Sequence, residues 1–235
     1  MAEIKLSKRL EKVASFVDKE AYVADIGSDH AYLPVYLIKN EIAKKAIAGE
    51  VNEGPLQSAI KQVKKHGLEN KIQPRLGSGL SVIKGEAPDT VVIAGMGGPL
   101  ISQILEEGKE NLEAVRKLIL QPNVAADSVR RWLIENEWKL TQEAIMEEDG
   151  HIYEILTAEK GDPLALYSEN TEKEIWLGPL LLKEKNSAFK KKWNRELRQL
   201  ENIRIQLDKA SDSGELLDRK KEVEKKAGWI KEELT

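Results

Sequence analysis

With 235 residues, 41% of them hydrophobic, and a formal net charge of −3, the chain is long enough for one large domain or a domain with an appendage. Its lack of cysteine excludes disulfides, thiolate metal sites and a cysteine nucleophile, and its three scattered histidines, His30, His66 and His151, lack metal-ligand spacing. No apolar run approaches the ~20 residues that span a bilayer. Met1–Lys5 has no apolar signal region, so a soluble cytoplasmic protein is expected. The charge does not announce a nucleic-acid binder, so any RNA contact must use local basic faces.

Ser7 predicts the cap of a first helix running to about Phe16, with Leu6, Leu10, Val13, Ala14 and Val17 on its apolar face and Lys8, Arg9 and Lys12 on a solvated one. Val23–Ala24–Asp25–Ile26 then reads as a strand, Gly27 as a tight turn and Tyr32–Ile38 as a helix, the opening of an α/β nucleotide-binding unit. The turn is expected to present backbone N–H groups and a helix N-terminus to a ligand. It departs from the three-glycine dinucleotide pattern: Asp29 stands where the second glycine would fall and would repel a pyrophosphate. Asp25 before the glycine suits a cofactor with a cationic group and no phosphate, and S-adenosylmethionine fits.

Lys44–Glu50 reads as the second strand, and Glu50 lies about 20 residues beyond the turn, where an acid that accepts ribose hydroxyls is expected. A helix follows from Asn52–Glu53–Gly54–Pro55, burying Leu56, Ala59, Ile60 and Val63 and ending at Gly67. Ile72–Leu76 is a third strand, short because of Pro74. Gly77–Ser78–Gly79 after it suits close passage beside a flat ring such as adenine. Asp89–Ala94 is a buried strand closed by Gly95–Met96–Gly97–Gly98–Pro99, a glycine-rich exit with room for a planar substrate, since ligands of open α/β sheets bind beyond the strands' carboxyl ends. Lys117–Asn123 is a fifth strand with a polar exit, and Asp127–Glu135 is a helix. Trp138–Ile145 and His151–Ala158 pair around Glu148–Asp149–Gly150, an antiparallel hairpin with the D-G turn signal.

These units predict an α/β fold with a seven-stranded Rossmann-like methyltransferase sheet over residues 1–160. Beyond Gly161–Asp162–Pro163 the character changes, and 161–235 is expected to be a helical coiled-coil domain. Phe189, Trp193, Leu200, Ile203 and Leu207 mark one helix, and Ser211–Asp212–Ser213–Gly214 breaks it. Leu216, Val223, Ala227, Ile230 and Leu234 mark a second, so the two form an antiparallel hairpin, with Leu216, Val223 and Ile230 at heptad spacing. Such a hairpin folds within one chain or dimerises, leaving both monomer and homodimer open. Lys191, Arg195 and Arg198 share a helix face that serves either as a solvated surface or as an RNA contact.

Taken together, Asp25–Pro34, Gly49–Pro55, Ile93–Gly98, Gln121–Pro122–Asn123, the Glu148–His151 turn and the C-terminal helices resemble the bacterial tRNA (adenine-N1)-methyltransferases that modify adenosine 22. The resemblance spans nearly the whole chain. It implies methyl transfer from S-adenosylmethionine to adenine N1 in the tRNA D arm. Under it Asp25, Gly27, Ser28, Glu50, Val51, Asn52, Gly77, Ser78, Gly79, Ala94, Gly95, Met96 and Gly97 hold the cofactor, and Asp29, His30 and Tyr32 face the reacting base. Where that family often has Gly-Asp-Gly, this chain has Gly77–Ser78–Gly79, so an acid for the adenine amine is absent there. From the residues alone, a methyltransferase with a different substrate and a non-catalytic RNA- or cofactor-binding module remain open.

Overall fold

The computed structural model describes residues 4–209 and 214–234. Strands β1 (Ala21–Ile26), β2 (Ala43–Glu50), β3 (Ile72–Leu76), β4 (Thr90–Met96), β5 (Lys117–Pro122), β6 (Trp138–Glu148) and β7 (His151–Lys160) form one sheet in the order β3-β2-β1-β4-β5-β7-β6. The first five run parallel, and β7 pairs antiparallel to both β5 and β6. The chain order reverses between β1 and β4, the switch point where open α/β sheets bind ligands. Pro74 is tolerated because β3 is an edge strand with no ladder to complete on its far side.

Helices α1 (Lys8–Ala14), α2 (Tyr32–Lys39), α3 (Glu53–Lys65), α4 (Gly98–Glu107) and α5 (Ala126–Glu135) flank the sheet. Ser7 caps α1 by accepting from Leu10 N, as its place before the apolar stripe predicts. One core lies under α4 and α5 and includes Ile93, Ile101, Leu105 and Trp132; the other lies under α1, α2 and α3 and includes Val13, Val35, Ala59 and Val63. Ile60, expected in the α3 stripe, is 39% exposed; its turn of the helix faces away from the sheet.

Two boundaries move for local reasons. Strand β4 runs on to Met96, because Gly95 (φ 82°) forms a bulge that lets Met96 resume pairing with Pro122. Strand β6 extends past Ile145 to Glu148, because Asp149 (φ 49°) and Gly150 (φ 79°) make a two-residue turn into His151 whose twist matches the strands.

The C-terminal part holds α6 (Thr171–Leu177), α7 (Leu181–Glu184), α8 (Ser187–Asp208) and α9 (Gly214–Leu234). Helices α6 and α7 are too short to show periodicity in the sequence. The expected break at Ser211–Ser213 lies outside the described residues. Val223 and Ile230 of the heptad seam are buried, and α8 and α9 share a core with Ile145 of β6, so the helical hairpin is packed onto the sheet's last strands. Among the described residues, no helix is long and apolar enough to cross a membrane.

Candidate functional site

Three strand ends converge at the carboxyl edge of the sheet. After β1, Gly27 (φ 71°) reverses the chain, and the N–H groups of Gly27 and Ser28 both donate to Gly49 O of β2, at 2.9 and 3.0 Å. These two donors, expected to face a ligand, therefore lock the turn to its neighbour. Asp29, His30 and Ala31 then all adopt left-handed backbone, at φ 46°, 67° and 59°. For non-glycine residues this costs on the order of 1–3 kcal/mol each and persists only where the surroundings enforce it. The turn brings the backbone N–H groups of His30 and Asp29 to the Glu50 carboxylate.

Glu50 is 5% exposed. Burial raises its pKa against those backbone hydrogen bonds, and the nearby Asp29 raises it further. Its Oε1 is buried without a hydrogen-bond partner. An unsatisfied buried oxygen is costly, and a hydroxyl-bearing ligand would satisfy it. Asp25, also buried, lies beneath the turn and accepts from Ser28 Oγ at 2.6 Å. Burial pushes its pKa up to about 7, opposed by the Ser28 bond and reinforced by Glu50 and Asp29.

A cavity of about 270 Å³ opens at these strand ends, lined by Gly27, Val51, Gly77, Ser78, Gly79 and Met96 among others. Two apolar side chains of its lining, Val51 and Leu100, are 65% and 47% exposed, so it offers an apolar slot for a flat ring. A Cβ on Gly27 would stand 2.4 Å from Met96 Cε, which places the β1 turn against the β4 exit. Of the other expected cofactor residues, Asp25, Ser28 and Glu50 occupy the ends of β1 and β2, Asn52 stands exposed at the N-cap position of α3 without a side-chain cap bond, and Ala94, Gly95 and Gly97 belong to the β4 exit. Asp29 is 85% exposed with His30 Nε2 at 3.3 Å, and the His30 ring lies 5.8 Å from that of Tyr32. The three expected base-facing residues thus form one exposed group beside the cavity's turn.

The glycine-rich exit divides its work. A Cβ on Gly98 would fall 1.9 Å from Ala125 O, so this glycine serves backbone packing and not substrate space, a correction to the expectation. At the Gly95 bulge both backbone groups turn to side chains: Gly95 N donates to Gln121 Oε1 at 3.0 Å, and Gly95 O accepts from Asn123 Nδ2 at 2.8 Å.

Sequence reading missed Arg9. Its guanidinium donates to Gln121 Oε1, lies 5.3 Å from the Tyr153 ring and sits 3.7 Å from where a Gly95 Cβ would be. Expected on the solvated face, Arg9 follows Leu6 by three and precedes Val13 by four, which puts it on the edge of the buried stripe. That spacing was the available signal.

Residues 23–232 match the family model described as tRNA (adenine(22)-N(1))-methyltransferase. Over 233 residues the chain is 47% identical to the tRNA (adenine(22)-N(1))-methyltransferase of Bacillus subtilis (strain 168), covering 99% of this chain and 98% of that protein. This chain belongs to the tRNA (adenine(22)-N(1))-methyltransferase family. The B. subtilis crystal structure superposes with a TM-score of 0.95, at 47% identity, over 99% of this chain and 100% of that one. A Streptococcus pneumoniae relative solved in complex with S-adenosyl-L-methionine is 43% identical, with a TM-score of 0.86 over 98% and 100% of the two chains. An M. capricolum relative in complex with S-adenosyl-homocysteine is 28% identical, with a TM-score of 0.81 over 97% of each.

In this methyltransferase the basic helices meet around the β6–β7 turn. Lys8 N and Arg9 N donate to the Glu148 carboxylate at 2.7 and 3.0 Å, while Arg195 of α8 donates to Gly150 O at 3.1 Å and Lys191 pairs with Glu147. Arg198 Nε donates to Asn194 O within its own helix. The Lys191–Arg195–Arg198 face is therefore partly engaged by the protein, and it adjoins the α1 cations instead of forming a separate patch.

Asp25 carries a pH prediction. Between about pH 4 and about 7 the folded chain holds a proton on Asp25 that the unfolded chain has released, so this contribution to stability falls as pH rises through that window. Asp25→Asn should flatten the decline; thermal melts of the two proteins from pH 5 to 8 check it.

Proposed function

We propose that this chain methylates N1 of adenosine 22 in the tRNA D arm, using S-adenosylmethionine, in the cytoplasm. The observation that carries the site assignment is the buried, unpartnered Glu50 Oε1 at the end of β2. It fits a ribose hydroxyl, and the apolar slot beside Val51 and Leu100 fits the cofactor's adenine. Ser78, exposed and without a cap bond, is free to meet the adenine edge where an acid is missing. When bound, the cofactor supplies an electrophilic methyl on a sulfonium, and transfer leaves the positive charge on the target adenine.

The target N1 is occupied in a paired helix, so the base must be exposed or flipped to react. Much of the acceleration then comes from holding the two reactants in line. Asp29, exposed beside the β1 turn, stabilises the charge that develops on the adenine. His30 and Tyr32 position the base. Asp29→Asn should lower kcat at least tenfold with little change in tRNA binding, as expected for a group that acts mainly in the transition state; single-turnover rates beside a tRNA binding isotherm check it.

The tRNA is held across the surface where α1 and α8 meet the β6–β7 turn, with residues 161–235 serving as its grip. Neutralising Lys191, Arg195 and Arg198 together should weaken binding of all tRNAs and reduce the salt slope by up to ~3, about one per lost phosphate contact. Cofactor titration of the triple variant should match wild type. The function itself is tested by incubating the purified protein with S-adenosylmethionine and unmodified tRNA, then digesting to nucleosides for mass spectrometry. 1-Methyladenosine is the expected product; N6-methyladenosine or another methylated nucleoside would overturn the assignment.

A further inference from the structure

We propose that Asn123 selects adenine by hydrogen-bonding its N7 and exocyclic amine, leaving N1 free to receive the methyl group. The inference rests on the methyl-transfer reading above and deepens it. Any residue that recognises a base methylated at N1 must work from another edge. Adenine offers one: N7 is an acceptor and the amine a donor, the pair that an Asn side chain matches.

Asn123 lies at the β5 exit, directly across from the Gly95 bulge, and is exposed. Its amide is already half committed. Nδ2 donates to Gly95 O at 2.8 Å, and Oδ1 accepts from Gln121 Nε2 at 3.0 Å. An Asn amide has two N–H groups and two acceptor positions, so one of each remains for a ligand. These match N7 and the amine of adenine. Guanine presents acceptors at both N7 and O6, so Oδ1 would face a second oxygen.

A free Asn amide can turn over and exchange donor for acceptor, losing this discrimination. Here the orientation is fixed from behind. Gln121, fully buried, accepts through Oε1 from Gly95 N and from the Arg9 guanidinium, neither of which can accept in return. Gln121 must therefore point its Nε2 at Asn123, and Asn123 must answer with Oδ1. Gly95 O confirms the choice from the other side, since it can only accept. Arg9 and Gln121 are positioning residues: they act on the base through Asn123. The arrangement accounts for a polar Gln-Pro-Asn strand exit and for a bulge whose backbone is satisfied by side chains.

The test uses full-length protein and tRNA assembled with adenosine or 7-deazaadenosine at position 22. The analogue keeps N1 and the amine but lacks the N7 acceptor. Wild-type protein should methylate the analogue with kcat/KM reduced about tenfold, the scale of a lost base-edge contact. Asn123→Ala should show a similar or larger reduction on ordinary tRNA, no further reduction on the analogue, and unchanged S-adenosylmethionine titration. Equal wild-type activity on both tRNAs, or penalties that multiply when variant and analogue are combined, would overturn the proposal. Absence of 1-methyladenosine from wild-type protein on ordinary tRNA would overturn the methyl-transfer reading itself and is distinguishable from either result.

Discussion

Replacing Arg130 with Ala should destabilise the protein by about 3–5 kcal/mol, because it leaves the buried Glu143 without its cation and Glu154 with Lys192 alone. Arg130 on α5 is fully buried. Its Nε donates to Glu143 of β6 at 2.7 Å, one terminal nitrogen reaches Glu154 of β7 at 2.5 Å, and the other donates to Ile175 O of α6 at 3.1 Å. Burial would lower its pKa, yet Glu143 and Glu154 outweigh burial and hold it raised, so the guanidinium stays charged. Glu143 in turn accepts from Leu180 N, and Glu154 pairs with Lys192 of α8. One side chain thus ties α5, the β6–β7 hairpin and α6 together. For a chain of this size a loss of that order should lower the melting temperature by roughly 6–20 °C. Thermal melts near neutral pH check it, and a shift of a degree or two would show that the three elements hold together without the charge network.

Glu50→Ala should weaken S-adenosylmethionine binding by about 10- to 150-fold, the equivalent of a charged hydrogen bond contributing ~1.5–3 kcal/mol. The same change removes the acceptor for the His30 and Asp29 N–H groups, so the left-handed turn should loosen as well. Glu50→Gln separates the two effects, since its amide oxygen can still accept from the turn. Calorimetric titration of both variants, with melts to confirm folding, gives the comparison. Wild-type affinity in folded Glu50→Ala protein would remove Glu50 from the cofactor site.

The sheet could be read from the sequence because parallel strands buried on both faces are apolar runs ended by glycine or an acid. Val91–Val92–Ile93 and Ala46–Ile47–Ala48 are such runs, each followed within a few residues by a glycine. Glu50 stands out in the same way, through its spacing from Gly27. What stayed hidden depends on contacts distant in the chain. Arg9 reaches Gln121, the β6–β7 turn accepts from both terminal regions, and the acceptors around Arg130 come from three further elements. No local pattern encodes such meetings. The strain at Asp29–His30–Ala31 was equally invisible, since three non-glycine residues in left-handed backbone contradict local preference. It arises where the turn is bent around Glu50. Gly98 was misread because glycine marks close backbone approach whether the neighbour is a ligand or, as here, Ala125.

A methyl group on N1 of adenosine 22 would lie on the base's Watson–Crick edge. Reverse transcription of tRNA treated with the wild-type protein and S-adenosylmethionine tests for it most directly, because a methyl on N1 blocks pairing. The expected result is a stop at position 22 that requires the cofactor, disappears when position 22 is guanosine, and is strongly reduced with Asp29→Asn. A stop at another adenosine, or none from protein shown by titration to bind the cofactor, would contradict it.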